Sequence, residues 1–264
     1  MGGDELFAGY PHYQRVLKAL PWLRTFPRLG ISAAAWGAAH LNPRYAKLEA
    51  LTLPGAPIAR LYYAARGLFM PSEIRALVHP DLLAQTALGH AEASSVLPTA
   101  LAYLTSSLSP LHGVMALELR RYMHNQLLRD SDVFGMAQSL EIRVPLIDHR
   151  IVEAVFRIDP RAILGSHDAV STFAPPKALL MNALPTSLPQ LCTHRPKMGF
   201  TFPFDRWMQD GWRARLERDV LQHDRGPRFL AKNAAIHVWE SFNGRRVNWC
   251  RPWSLVALKK TLGQ

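Results

Sequence analysis

Two glycines run directly into two carboxylates at Gly2-Gly3-Asp4-Glu5. Glycine backbone takes positive φ without steric cost and lets a ligand come close to the chain. Successive backbone amides in such a turn form an anion-binding concavity, and a carboxylate beside it is a natural ligand for a Mg²⁺ that bridges to phosphates. Without that cation, Asp4 and Glu5 would repel a phosphate. One reading is that the glycine amides of Gly2 and Gly3 cradle an anion and that Asp4 holds a Mg²⁺ bridging it to phosphates. The plainer alternative is an ordinary helix start, where acidic residues favour the dipole.

A second candidate is Arg195-Pro196-Lys197-Met198-Gly199-Phe200. Lys197 is held between a proline and a glycine in a loop flanked by aromatic residues. Its ammonium is placed to neutralise charge developing on a carbonyl or pyrophosphate, which makes Lys197 the catalytic candidate; the alternative is a surface lysine. A third group combines Asp132, Glu141, Arg143 and Asp148 between apolar segments. That density of charge is expected to form an internal ion-pair network with a structural role. The scattered histidines show no ligand spacing, so a histidine metal site is not expected. Neither a Gly-x-Ser-x-Gly elbow nor a Walker loop is present.

These candidates need elements to carry them. Leu6, Phe7 and Tyr10, then Val16, Leu17 and Leu20 beyond Pro11, give an apolar helical face. A small-residue helix is expected from Gly30 to Leu41, and helical scaffold from residue 58 to 78 with a start at Pro71. Met115, Leu119, Tyr122, Met123 and Leu127 predict a helix over Gly113–Leu128, with a second short one over Asp132–Leu140. Glu141 to Val144 should be extended before Pro145, Asp148 should cap a helix running to Phe156, and Pro175-Pro176-Lys177 should open the next. Phe204, Met208, Trp212, Leu216 and Val220 step by four, with Gly211 as a possible interruption. Two amphipathic helices close the chain. No alternating run makes a convincing strand, so the expected class is mainly α.

The 264 residues suffice for a substantial core, and 20 prolines imply short helices. A formal charge of +11 attracts anions without saying which. The arginines are spread along the chain and no nucleic-acid motif is recognisable, so specific nucleic-acid binding is not expected. Two cysteines without clustered partners argue against a disulfide framework or zinc site and favour a reducing, cytoplasmic setting. The most apolar stretch, residues 31–41, is too short to span a bilayer.

In order along the chain, four segments resemble the asparagine synthase family of glutamine-dependent amide synthetases. Gly2 to Tyr10 is similar to the family's S-G-x-G-G-D-E-L-F-x-G-Y segment. Leu127 to Asp132, followed by Met136-Ala137-Gln138-Ser139-Leu140-Glu141-Ile142-Arg143-Val144-Pro145-Leu146-Ile147-Asp148-His149-Arg150, resembles its most recognisable stretch. Lys177-Ala178-Leu179-Leu180 resembles a K-x-L-L-R helix start, and Arg195 to Phe200 with Pro203 and Trp207 resembles an R-x-K-x-G-F-x-x-P-x-x-x-W loop. Residues from about 20 to 110 match weakly.

The resemblance implies an ATP- and Mg²⁺-dependent synthetase in which a side-chain carboxylate is adenylated and ammonia from glutamine attacks the acyl-adenylate. It implies the helical C-terminal portion of an α/β adenine-nucleotide α-hydrolase-like (ATP pyrophosphatase) domain, occupying residues 1–264, with the central parallel sheet mostly missing. By position Gly2, Gly3 and Asp4 would bind pyrophosphate and Mg²⁺, and Lys197 would stabilise the charged intermediate. The S-G-G-x-D-S ATP loop and an N-terminal glutaminase cysteine do not occur here, and Met1 stands where the family often has an acidic residue. The expectation is a fragment, inactive alone, whose partner is the missing glutaminase and ATP-loop half. One alternative keeps the fold and amidates another carboxylate, giving a β-lactam, macrolactam or sugar or lipid amide. A different class altogether is a non-enzymatic basic helical protein that binds nucleic acid or a partner.

Overall fold

A computed structural model describes residues 1–26, 30–31, 34, 37, 43–85, 105–165, 177–185, 202–221, 229–231 and 233–262. Among them every regular element is a helix, and the one sheet-like contact is an isolated antiparallel bridge between Val78 and Leu230. The mainly-α expectation holds for these residues. Most of the expected Gly30–Leu41 helix lies outside them. No described helix is long and apolar enough to cross a membrane.

The prolines start helices more often than they break them. Pro11, Pro57, Pro71, Pro80, Pro110 and Pro160 each occupy the first residue of an α-helix. That position lacks an intrahelical partner for its N–H in any case, and proline's fixed φ suits it. Side-chain caps do the rest. Ser109 Oγ accepts from His112 N–H, and Asp148 and Asp159 accept from Arg150 and Arg161 N–H.

The chain divides into two compact units. The first comprises Met1–Pro27, Gly55–Ala65 and Val96–Lys197. Its Pro11–Thr25 helix buries His12, Tyr13, Val16, Leu20 and Leu23, a single stripe at helical spacing. Beside it runs an unbroken helical stretch that is α from Pro110 to Leu117, π from Glu118 to Leu128 and α again from Arg129 to Met136. The two separate helices expected here are therefore one. All residues from Leu111 to Leu117 are buried, so this segment is core on every side. The stretch ends where the chain folds back over Gly135, whose carbonyl accepts from Gln138 and Leu140 N–H at 2.9 Å each. A Cβ on Gly135 would stand 2.8 Å from the Leu140 carbonyl oxygen, so only glycine permits this return.

The second unit comprises Arg28–Pro54, Arg66–Ser95 and Met198–Gln264. Its core is Met208, Leu216, Val220, Trp239, Phe242 and Val256. The stripe read from Phe204 to Val220 is divided between helices Phe204–Gln209 and Arg213–Leu221. Asp210, with φ −107° and ψ −99°, takes the chain out of the helical region just before Gly211. Two further helices, Ala234–Asn243 and Cys250–Leu262, complete the packing. Arg251 anchors the last of these, gripping the Glu73 carboxylate through two nitrogens at 2.5 and 3.0 Å and lying 4.9 Å over the Phe69 ring.

Candidate functional site

The Gly2-to-Tyr10 segment lies in the first unit as a single helical turn, Gly3–Leu6, followed by a tight reversal. Gly2 has φ +95°, and a Cβ there would stand 2.8 Å from Ile147 Cδ1 and 2.9 Å from Leu146 Cβ. Conformation and space thus both demand glycine. The Pro145–Ile147 turn that imposes this packing ends the most family-like stretch of the sequence. Ser131, from the same stretch, donates to Met1 Sδ at 3.1 Å.

The two carboxylates have different fates. Glu5 is buried and acts inward. One of its oxygens accepts from Gly2 N–H at 3.1 Å and the other from the Tyr10 hydroxyl at 2.5 Å, while its backbone carbonyl accepts from the Tyr13 hydroxyl at 2.5 Å. Burial, then the adjoining Glu5 carboxylate, pushes the Tyr10 phenol far above its usual range, so Tyr10 stays a donor. Asp4 instead is partly exposed, and its Oδ2 lies 3.1 Å from Lys177 Nζ. Asp4 is thus the member of the pair whose carboxylate can meet a cation or a solvated anion's counter-ion.

Lys177, which the sequence marks as a helix start, precedes the Ala178–Asn182 helix. Its backbone has φ +64° and ψ +35°, a left-handed conformation unusual for a lysine. Gly9 makes room for its side chain: a Cβ on Gly9 would stand 2.7 Å from Lys177 Cε and would collide with Asp4 Oδ1. Gly3 also lies close, its would-be Cβ 3.8 Å from Lys177 Nζ. Two glycines, one carboxylate and one ammonium therefore converge. Lys197, the lysine expected to carry the chemistry, lies outside the described residues, as does the loop from Arg195 to Phe200.

The expected internal ion-pair network takes another form. Arg143 pairs with Glu141 at 2.9 Å with both side chains largely solvent-exposed, and Asp148 pairs with Arg150, also at 2.9 Å. Asp132 is exposed. These are local surface pairs, each formed between residues two apart in the chain. No group of three or more His, Cys, Asp or Glu side chains able to hold a metal occurs among the described residues. A Mg²⁺ that keeps most of its waters and binds phosphate needs only one or two carboxylates, and Asp4 beside the glycine turn meets that requirement.

The family model for asparagine synthase matches residues 1–262. The chain belongs to the asparagine synthase family. It is 24% identical over 245 residues to asparagine synthetase [glutamine-hydrolyzing] 1 of Bacillus subtilis (strain 168), a match covering 90% of this chain and 35% of that protein. It is 27% identical over 217 residues to putative asparagine synthetases [glutamine-hydrolyzing] of Mycobacterium bovis and Mycobacterium tuberculosis, covering 80% of this chain and 30% of theirs. The chain thus spans about a third of the length of the curated relatives it matches. No solved structure matches it at a significant level. For this member of the asparagine synthase family, the matched region includes the glycine turn, Lys177 and the Leu127–Arg150 stretch together.

Proposed function

We propose that this chain supplies the pyrophosphate-facing part of an ATP-dependent, amide-forming synthetase. In the proposed reaction a carboxylate oxygen attacks the α-phosphorus of ATP and pyrophosphate leaves. Ammonia released from glutamine then attacks the acyl carbon, AMP departs, and the nitrogen loses a proton. Aspartate is the acceptor suggested by the relatives' names. The observation that carries this reading is the Asp4–Lys177 pair, set on a turn of required glycines in a member of the asparagine synthase family.

In this reading the Gly2–Asp4 backbone faces the leaving phosphates, and Lys177 Nζ holds a positive charge where negative charge builds up. Asp4 would hold Mg²⁺, which when bound supplies charge neutralisation to the phosphates. Glu5 has no direct role in the chemistry and shapes the turn. Lys197 is proposed as a second cation of the same site. The wider fold would be that of an adenine-nucleotide α-hydrolase-like domain. The glutamine hydrolysis named in the relatives is proposed to supply the ammonia.

Lys177→Asn tests this directly, because asparagine tolerates the left-handed backbone. Stability should change by less than about 0.5 kcal/mol, while affinity for Mg²⁺-pyrophosphate, measured calorimetrically, should fall about tenfold. Equal affinity in the folded variant would remove Lys177 from the site. Pyrophosphate release from ATP should require aspartate once the chain is combined with a glutaminase and ATP-loop portion. Release with a different carboxylate, and none with aspartate, would replace asparagine by another amide product.

A further inference from the structure

A buried contact between a histidine and a carboxylate stands directly behind the glycine turn. His12 Nε2 lies 2.8 Å from Glu118 Oε1, with the two side chains 8% and 0% exposed. The imidazole stacks on Tyr10 (centroids 5.5 Å apart, planes at 20°) and on Tyr13 (5.1 Å, 26°). These are the two tyrosines whose hydroxyls grip Glu5, one at its carboxylate and one at its carbonyl. Glu118 is the first residue of the π-helical segment, and Tyr122 from that segment meets the Tyr10 ring edge-on at 6.2 Å.

Burying two polar side chains against each other gives little net stability, because the desolvation cost offsets their attraction, and apolar residues of similar volume often serve as well or better. An eleven-residue π segment is also unusual, since π geometry normally appears as a single-turn bulge, frequently beside functional sites. Both features concern the same residues. We propose that the His12–Glu118 pair is a positioning device for the anion-binding turn. Glu118 fixes the plane of the imidazole, the imidazole aligns Tyr10 and Tyr13, and the tyrosines hold Glu5. Glu5 in turn draws in Gly2 N–H and so sets the direction in which Asp4 meets Lys177. The π register is what brings Glu118 and Tyr122 to this stack. The functional value of the device rests on the reading of the Gly2–Asp4 turn as an anion site, but its geometric effect does not.

The test is acetylation of the intact chain with acetic anhydride, with the rate at Lys177 read by mass spectrometry relative to exposed Lys260. The double variant His12→Phe/Glu118→Leu keeps a ring in the stack and removes the polar contact behind it. A positioning role predicts an unchanged or higher melting temperature together with Lys177 acetylation about fivefold faster, as its pair with Asp4 loosens. An unchanged Lys177 rate in the folded double variant overturns the proposal. If the double variant does not fold, Glu118→Gln, which keeps shape and removes charge, is read in the same way and with the same two outcomes. Failure of Mg²⁺-pyrophosphate to slow Lys177 acetylation in the unsubstituted chain would count against the anion reading alone, because the variant comparison is made without ligand.

Discussion

Asp4 and Glu5 are adjacent and chemically alike, yet the fold separates them by direction. The single turn Gly3–Leu6 points Glu5 into a cage of hydroxyl and amide donors and leaves Asp4 facing Lys177 at the surface. The most sensitive position in this arrangement carries no side chain. Gly9→Ala would drive a methyl group into Asp4 and Lys177. The expected cost is about 1–3 kcal/mol of stability, read from urea unfolding, along with faster acetylation of Lys177. A variant as stable as the parent with an unchanged Lys177 rate would mean that the reversal after Phe7 is not held as described. That Gly2-Gly3-Asp4-Glu5 starts a helical turn was legible in its residue types. The selection of Lys177 as partner was not, since 173 positions of separation and a left-handed backbone leave no trace in local pattern.

At the scale of elements, two helix anchors make separate predictions. Asp148 caps the His149–Phe156 helix and is hydrogen-bonded to Arg150 through both guanidinium and backbone N–H. These contacts, the guanidinium first, hold its carboxyl well below the usual carboxylate range. A depressed folded-state pKa contributes stability above the unfolded value of about 4, and that contribution is lost as pH falls below it. The stability difference between the parent chain and Asp148→Asn should therefore be largest near neutrality and shrink in acid, followed by urea unfolding across pH. A difference independent of pH would assign the cap to shape alone. In the other unit, Arg251→Lys keeps the charge at the Cys250–Leu262 helix but loses the fork on Glu73 and the stacking on Phe69. The expected loss is about 1–2 kcal/mol, measured by thermal unfolding; no loss would show that a point charge suffices there.

Among the described residues, the stretch from Leu127 to Arg150 carries a run of exposed apolar side chains. Val133, Phe134, Met136, Leu140 and Ile142 are each at least half exposed within ten residues. Contiguous apolar surface of this kind marks an interaction face or an aggregation hazard. The isolated chain should bind a hydrophobic dye and self-associate with rising concentration. Phe134→Ser/Leu140→Gln should suppress both while changing stability by less than about 0.5 kcal/mol. Undiminished dye binding by the folded variant would place the sticky surface elsewhere. Within each unit, helix identity was largely readable from periodicity and proline placement. The fusion of two expected helices into one was not, because residues 129–131, which join them, carry no apolar side chain to continue the period.

The sequence by itself determined the family and the mainly helical character of the described residues. These follow from residue type and near-neighbour spacing, where backbone sterics and side-chain chemistry act locally. Only the tertiary structure decided which carboxylate faces solvent, which lysine meets it, and that charges expected inside lie on the surface. It also brought His12 to Glu118 across 106 positions. Such choices depend on how helices pack and on where a missing Cβ leaves space. Those quantities arise between segments distant in the chain, so they are fixed by the folded whole and not by any stretch read alone.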